Sequence, residues 1–400
     1  MEALPVAEST APPRRALTFI FLTVFLDLLG AGILVPVLPY LVRRYDADAL
    51  TVGLLAATFS AAQFFASPLM GAWSDRAGRR PVLLISLFGT GVGYLLFGWG
   101  GSLLILYLSR LIDGFTGGNL ATAQAYIADV TPPKDRAKNF GLIGAAFGMG
   151  FTFGPAAGGL LSHVSLEAPA YAAAVLSLAT TAFGYFALPE SLPRERRHKL
   201  SWRPRDLDPL LPILRYLRRP EFVTLLAATF FFQFAFSGMQ SNFAVYTLER
   251  FRWGPDDNAW IFVYLGVVAT VVQGWLVRRL APLWGERRLA LSGPLLTTVG
   301  FMATAFAPQA WWLFLGITLT AMGSGLAGPS LTSLLSGRAT AQEQGTLLGV
   351  SQSIGSLTRV LGPAFAGWIF DAAGPPSPYW TGAAFILVAW GCVVAALGKR

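Results

Sequence analysis

The segment GAWSDRAGRRP, residues Gly71–Pro81, places one acidic residue and three arginines between two long apolar segments. The whole chain is 54% hydrophobic and only 13% charged, with a mean hydropathy of +0.55. Soluble domains carry about 25% charged residues, so charge is scarce here and is concentrated in short connections. The pattern indicates a membrane protein in which this segment is a loop between two spans.

Apolar runs long enough to cross about 30 Å of hydrocarbon as helices lie on both sides of this loop. The first six predicted spans cover residues 16–42, 51–73, 81–100, 102–128, 136–163 and 168–188. The second six cover 221–249, 257–277, 287–307, 310–336, 342–371 and 378–397. We therefore expect an all-α integral membrane protein with a cytoplasmic lead (1–15), an N-terminal six-helix bundle (16–188), a cytoplasmic linker (189–220) and a C-terminal six-helix bundle (221–400).

Basic residues predict the orientation, because short loops rich in Lys and Arg stay in the cytoplasm. Alternate connections carry most of the arginines and lysines, including Arg14, the Arg76–Arg80 loop and the 189–220 linker. Both chain termini are therefore predicted to be cytoplasmic. The net charge of +9 is explained by these loops facing anionic membrane lipid, so we expect no nucleic-acid partner.

Two predicted spans repeat one pattern. GLIGAAFGMGFTFGPAAGGLL begins at Gly141, GVSQSIGSLTRVLGPAFAGWI begins at Gly349, and each places Gly-Pro thirteen residues after its first glycine. Internal repetition of this kind predicts two pseudo-symmetric halves. Two such halves flanking a site near the bilayer midplane are a common arrangement in transporters.

The opening loop resembles the signature loop of the major facilitator superfamily, roughly G-x-x-x-D-R-x-G-R-R/K. FLDLLGAGILVPVLP, RLIDGFTGG, YIADVTPPKDR and GPAAGG further resemble the twelve-helix proton-driven drug exporters, especially the tetracycline/proton antiporters. The likeness is dense from about residue 20 to 165. It implies a proton-coupled secondary transporter of the bacterial cytoplasmic membrane that exports amphipathic small molecules by alternating access, as a monomer and without a cofactor. The third span, residues 81–100, lacks the acidic residue of those exporters, which argues against tetracycline as the cargo.

The resemblance also implies a cytoplasmic gate. An acidic residue in the loop can sit at the N-terminus of the eleventh span, near residues 341–344, where the helix dipole stabilises negative charge. Arg79 or Arg80 can pair with Asp129 at the cytoplasmic end of span four. Positive charge that only fixes topology is the simpler alternative. The predicted gate residues are Gly71, Asp75, Arg76, Gly78, Arg79, Arg80 and Asp129.

Span five carries Gly150, Gly154 and Gly158, with Pro155 among them. Small residues at this spacing let helices approach closely, and the proline loosens the local backbone hydrogen bonding. In the resembling exporters this segment marks antiport. Read from the residues alone, it is a close-packing and hinge face, and both readings stay open.

Four charged residues are predicted well inside spans: Asp27, Arg110, Asp113 and Arg359. Charge there is costly and marks a functional site by default. Arg110 and Asp113 are three apart and therefore neighbours on one helical face. We predict that Asp27, Arg110 and Asp113 couple transport to protons. The alternative is a fixed Arg110–Asp113 pair that never titrates.

Uncharged polar and aromatic side chains inside spans are candidates for the substrate cavity, since such walls suit amphipathic ligands. They are Gln63, Asn119, Gln124, Gln233, Phe236, Gln240 and Gln352. A proton-coupled importer of a sugar or an organic anion on the same fold is the second candidate function. An enzyme is not expected, because we find no nucleophile motif, metal cluster or phosphate-binding loop.

Overall fold

The computed structural model describes residues 14–45, 48–131, 136–197, 214, 216–338 and 344–398, and every regular element among them is helical. The first half contains α1 (Arg14–Leu34), α2 (Leu38–Arg43), α3 (Ala49–Ala77), α4 (Arg79–Trp99), α5 (Leu103–Thr116), α6 (Asn119–Val130), α7 (Arg136–Ser162) and α8 (Ala168–Ala187). The second half contains α9 (Pro220–Phe251), α10 (Pro255–Val271), α11 (Val277–Ala305), α12 (Trp312–Ser336), α13 (Gln344–Ala373) and α14 (Ser377–Gly398). The predicted all-α fold class is confirmed.

Six of the described helices are individually long and apolar enough to cross a membrane: α3, α4, α8, α9, α12 and α14. The other predicted spans carry more charge, are interrupted, or, as in α1, hold a shorter apolar stretch over Thr18–Leu34. Each of the twelve predicted spans nevertheless falls on helix. The predicted lead lies almost wholly outside the described residues, as does most of the predicted linker.

Three spans differ in detail from their predictions. The first, predicted as one span over residues 16–42, is two helices, α1 and α2, separated by a turn at residues 35–37. The fourth is two helices, α5 and α6, separated at Gly117 and Gly118. The eighth does not end at residue 277: α10 continues through a π-helical turn, Val272–Leu276, into the first part of α11. The helix is interrupted at Gly285, whose backbone φ of 71° lies in the left-handed region. The π turn lets the helix pass the predicted boundary without a loop.

The apolar core indicates which ends of the halves meet. One buried cluster contains residues from both halves, such as Val52 and Phe243, which lie towards the ends opposite the basic loops. Two smaller clusters each belong to a single half at its basic-loop end: one includes Leu83 and Ile127, the other Leu226 and Leu335. Following the predicted orientation, we call these the outer and inner ends. Among the described residues, the buried apolar cluster that joins the two halves lies towards the outer end, whereas the two smaller clusters each stay within one half.

Close backbone approach seals the outer end. A Cβ at Gly53 of α3 would overlap the backbone of Pro363 in α13, and one at Gly367 would lie 2.6 Å from the Ala49 carbonyl oxygen. On the other side of the interface, a Cβ at Gly159 of α7 would overlap Ala259 of α10. Glycine is therefore required where the halves touch.

Candidate transport site

The signature loop turns at Gly78, which ends α3 and begins α4 with φ 108° and ψ 158°. Only glycine adopts this conformation readily. The turn brings Asp75 to Arg79, with Oδ1 and Nη1 2.6 Å apart, and Arg79 Nε also lies 3.1 Å from Asp129 Oδ2. Arg79 is buried. The predicted pairing with Asp129 is present, and Arg79 rather than Arg80 makes it.

Glu190 is a gate residue that the sequence reading missed. Its Oε1 accepts a hydrogen bond from the Arg79 backbone N–H at 2.8 Å, and a Cβ at Gly78 would overlap its Oε2. Arg197 lies 3.6 Å from the same carboxylate. The start of the predicted linker is therefore folded under the loop. The only signal in the sequence was an acidic residue two positions after the sixth predicted span.

The remaining gate residues are placed as follows. Arg80 donates to the Tyr185 carbonyl and lies over the Tyr185 ring, 5.6 Å from its centroid. Arg76 is exposed, and Gly71 has open space where a Cβ would point. Residues 341–343, to which the loop was predicted to dock, lie outside the described residues.

The glycines of α7 pack against α1. A Cβ at Gly150 would lie 2.7 Å from Leu28 Cβ, and one at Gly154 would lie 2.8 Å from Gly32 Cα. A Cβ at Gly158 would overlap the Ile33 carbonyl, and Pro155 is buried beside it. The predicted close-packing face is therefore present. Because Leu28 follows Asp27 directly, α7 supports the turn of α1 that carries the carboxylate.

The charges of α1 and α5 meet around one aromatic residue, Tyr94. Arg110 and Asp113 form a buried ion pair, with Nη1 and Oδ2 3.1 Å apart. The Arg110 guanidinium also lies 4.5 Å from the Phe97 ring centroid and 5.6 Å from that of Tyr94. Tyr94 is within electrostatic reach of Asp27, Arg110 and Asp113. We call these four residues, Asp27, Tyr94, Arg110 and Asp113, the charge cluster.

The members of this charge cluster differ in how deeply they are buried. Tyr94 and Asp113 are almost fully buried, whereas Asp27 is half-buried. Arg110 Nε and Nη2 are buried and have no hydrogen-bond partner among the described residues. A buried donor without an acceptor is costly, so the pair is poised to accept a further partner. Tyr94 was missed because an aromatic residue in an apolar span gives no signal of its own.

The predicted cavity residues do not form one set. Gln63 donates to the Gly117 carbonyl at 2.8 Å and so ties α3 to the break between α5 and α6. Gln233 packs over Gly355, where a Cβ would lie 2.5 Å from its Oε1. Gln240 is half-buried, and Phe236 packs on the large apolar cluster. Gln124 and Gln352 are exposed, and the Asn119 side chain is outside the described part.

Polar contacts lock the outer end, and the sequence reading did not assign them. Tyr40 donates to the Trp253 carbonyl at 2.5 Å and accepts from Asn258 Nδ2 at 3.1 Å. Arg43 pairs with Glu249. A cavity of about 370 Å³ remains there between the halves. These contacts join the two halves at the outer end.

A carboxylate completes the outer lock. Asp371, in the last turn of α13, accepts from the backbone N–H of Ala49 at 3.3 Å and of Leu50 at 2.8 Å. These are the first N–H groups of α3, which have no partner within the helix. The negative charge also complements the positive end of the helix dipole. An acid of the second half thus caps a helix of the first.

Comparison with known proteins agrees with this architecture. The chain matches the family model described as Major Facilitator Superfamily over residues 20–283 and 279–400. It is 36% identical over 380 residues to tetracycline resistance protein, class C, of Escherichia coli, covering 94% of this chain and 93% of that protein. It is 30% identical to multidrug resistance protein 2 of Bacillus subtilis, covering 87% of each.

A solved structure is similar as well. The crystal structure of the human organic anion transporter MFSD10 (TETRAN) superposes with a TM-score of 0.73 at 29% identity, covering 96% of this chain and 100% of that one. The family match spans nearly the whole sequence, and the two-half helical fold is that of these relatives. The chain belongs to the major facilitator superfamily of membrane transporters.

Proposed function

We propose that this multi-pass membrane protein exports amphipathic small molecules in exchange for protons, by alternating access across the bacterial cytoplasmic membrane. Two bacterial relatives carry the names tetracycline resistance protein and multidrug resistance protein. Both names describe protection from toxic small molecules, for which export across the cell membrane is a direct route. A state in which the halves are joined at the outer end, as the described contacts join them, is the one that would load cargo from the cytoplasm.

The charge cluster is the observation that carries this proposal. Asp27 is half-buried, lies on a helix that packs against the glycine face of α7, and neighbours the buried Arg110–Asp113 pair through Tyr94. A carboxylate at such depth changes its proton affinity strongly when its access to water changes. Its ionised form accepts hydrogen bonds from a polar group of the cargo, and its protonated form does so less well.

Exchange follows from that competition. With the outer end closed, Asp27 would release its proton to the cytoplasm and bind the cargo. When the halves rock to the outward-open state, a proton from outside would bind to the Asp27 carboxylate, and the cargo would be released. Arg110 and Asp113 would keep the local charge balanced in both states. The gradient drives this cycle, so we expect no cofactor, a monomer in lipid and no enzymatic activity.

A proton-coupled importer of a sugar or an organic anion is the alternative. The similar human protein of known structure is an organic anion transporter, which favours the organic anion within that alternative. Direction decides between the two candidates: an antiporter moves protons opposite to the cargo, and a symporter moves them with it.

The test uses purified protein in liposomes that contain a pH-sensitive dye. Adding a zwitterionic amphipathic compound such as a fluoroquinolone should evoke proton movement opposite to the added compound. Asp27→Asn should abolish that movement, because an amide does not take up and release a proton in this pH range, while cargo binding persists because the amide oxygen still accepts a hydrogen bond. Glu286→Gln, at an exposed acid of the second half, is the control and should behave as the parent chain.

Two results would contradict the proposal. Proton movement in the same direction as the compound would make the protein a symporter. Unchanged proton coupling in Asp27→Asn would remove the carboxylate from the mechanism.

A further inference from the structure

Arg359 is the one intramembrane charge that the charge cluster leaves unused. It lies at the middle of the 30-residue helix α13 and is exposed. A charged side chain at this depth is too far from either interface for the guanidinium to reach a headgroup region along its own helix. Such a charge requires water or a ligand around it.

The geometry of α13 shows which way Arg359 faces. Successive residues turn by about 100°, so Arg359 shares a face with Pro363 and Gly367, the residues that touch α3 at the outer end. Trp368, nine residues on, is on the opposite face and is 54% exposed. The tryptophan marks the lipid side. Arg359 therefore points into the space between the halves, one turn inward of their contact.

The surroundings of Arg359 are polar but contain no counter-ion among the described residues. Its Nη2 donates to Ser356 Oγ at 3.0 Å, and Gln352, on the same face, is exposed. In the described part of the second half, acidic residues occur only near helix ends or at the Gly285 break, at Glu221, Glu249, Asp256, Asp257, Glu286 and Asp371.

Arg110 provides the contrast. It is buried, paired with Asp113 and covered by the rings of Phe97 and Tyr94. Arg359 is the same residue type near the middle of its helix, yet its side chain keeps an exposed surface and none of the described carboxylates forms an ion pair with it. Of the two guanidinium groups, only that of Arg359 is open to a molecule entering between the halves.

We propose that Arg359 binds an ionised acidic group of the cargo, so that the transported compound is an amphipathic organic anion or a zwitterion. A guanidinium stays charged at any physiological pH and offers a planar fork of N–H donors that matches a carboxylate. Ser356 accepts a hydrogen bond from Arg359 Nη2, and the other N–H groups of the guanidinium are left for the ligand. This inference rests on the proposed export function and specifies what enters the site.

The same chemistry could come from the phosphate of an anionic lipid. The experiment separates the two sources by using nanodiscs of phosphatidylcholine alone and nanodiscs that also contain phosphatidylglycerol. The probes are 2-naphthaleneacetate and 2-naphthaleneacetamide, which have the same shape and differ in charge. Binding of each is measured by calorimetric titration to the parent chain, Arg359→Gln, Arg359→Lys and the control Arg279→Gln, an exposed arginine stacked on Trp275.

In phosphatidylcholine, Arg359→Gln should bind the acetate at least about tenfold more weakly than the parent chain, the loss expected for a hydrogen bond between charged groups. Its affinity for the amide should change less than about twofold, which also shows that the variant is folded. Arg359→Lys should be intermediate, since lysine keeps the charge and loses the fork. Arg279→Gln should match the parent chain.

The proposal is overturned if the parent chain does not bind the acetate, if Arg359→Gln binds it equally well, or if that variant loses both probes to the same extent. It is also overturned if phosphatidylglycerol suppresses acetate binding by about tenfold or more only when Arg359 is present, because the occupant is then a lipid. Proton exchange is measured separately. If the parent chain exchanges protons and Arg359→Gln binds the acetate as well as the parent chain does, this inference alone is wrong. If Arg359→Gln loses acetate binding but the parent chain shows no proton exchange, only the export function is wrong.

Discussion

The inner loops of the two halves, around Gly78 and Gly285, have the same backbone and different surroundings. Both glycines have a left-handed φ, 108° and 71°, with an extended ψ of 158° and 159°. The first sits among Asp75, Arg79 and Glu190, and a Cβ there would overlap the Glu190 carboxylate. The second has open space around it, and the described side chains of residues 283–288 are all exposed.

The difference between these two loops distinguishes the contribution of the backbone conformation from that of the charged side chains. The glycine alone makes the turn between two spans, because both halves have it. The acidic residues and Arg79 add a rigid anchor, and only the first half has that among the described residues. The second half instead carries an acid at its outer end, Asp371, where it caps a first-half helix.

The largest expected effect comes from replacing the two glycines in parallel. Gly285→Ala should lower the free energy of unfolding by about 1–3 kcal/mol, the cost of a non-glycine residue in this region of backbone space. Gly78→Ala should cost that plus about 1–3 kcal/mol more, because the new methyl group displaces Glu190 from the Arg79 N–H. Unfolding titrations in mixed detergent micelles measure both.

Each glycine variant is the control for the other. Equal losses would mean that the charged anchor contributes no stability beyond the turn itself. A larger loss for Gly285→Ala would reverse the comparison.

A smaller effect is expected at the outer end. Asp371→Asn keeps an acceptor for α3 and removes the charge, which is worth about 0.3–1 kcal/mol at a helix N-terminus. The outward-open population should therefore rise by about two- to fivefold. The readout is labelling of a Val52→Cys probe by an impermeant maleimide from outside, in a Cys392→Ser background. Val52 is buried and lines the outer cavity. Glu286→Gln should leave the labelling rate unchanged, and a slower rate in Asp371→Asn would contradict the lock.

An effect of similar size is expected from the equivalent helices α3 and α10, which differ at their outer N-termini. Asp48 caps α3 by accepting from the Thr51 N–H at 2.8 Å and from the Thr51 hydroxyl at 2.7 Å, whereas Gly254 occupies the cap of α10. Asp48→Ala should cost about 1 kcal/mol. The hydrogen bonds from Thr51 lower the pKa of Asp48 below 3.8, so the stabilisation belongs to the ionised form.

The sign of the pH dependence follows. With a depressed folded-state pKa, the cap contributes fully above the unfolded-state pKa and is lost as pH falls through the folded-state value. The difference in melting temperature between the parent chain and Asp48→Ala should be constant from pH 8 to pH 5 and narrow only below about pH 4. A difference that widens on acidification would contradict this assignment. Asp256→Asn, in the first turn of α10, is the matched control.

The fold could be predicted from the sequence because the positions of the spans depend on local composition. Apolar runs, basic loops and the repeated Gly-Pro pattern all act within one helix and its flanks. The neighbours Arg110 and Asp113 were predictable for the same reason, since three residues along a helix fixes their proximity. The break at Gly117 and Gly118 was not predicted, although the doublet was visible, because two glycines can also sit inside a membrane helix.

The candidate site could be predicted only in part from the sequence, because its remaining residues come together through tertiary contacts. Glu190 joins the gate by folding back from the next connection, and Tyr94 joins the charge cluster from a different span. The outer lock depends on which ends of the halves are closed, and no local pattern encodes that. Gln63 looked like a cavity residue, and the structure uses its amide to hold a backbone carbonyl.

The interruption of the fourth span has a mechanical consequence. Asp113 is on α5 and Asp129 is on α6, so the proposed charge cluster and the predicted inner gate lie on opposite sides of a helix break that Gln63 of α3 contacts. Two helices joined at such a break can change their relative angle while one of them keeps its place. In the proposed cycle, the predicted gate would then move without moving the buried ion pair, and the chemical and mechanical steps would occur one after the other.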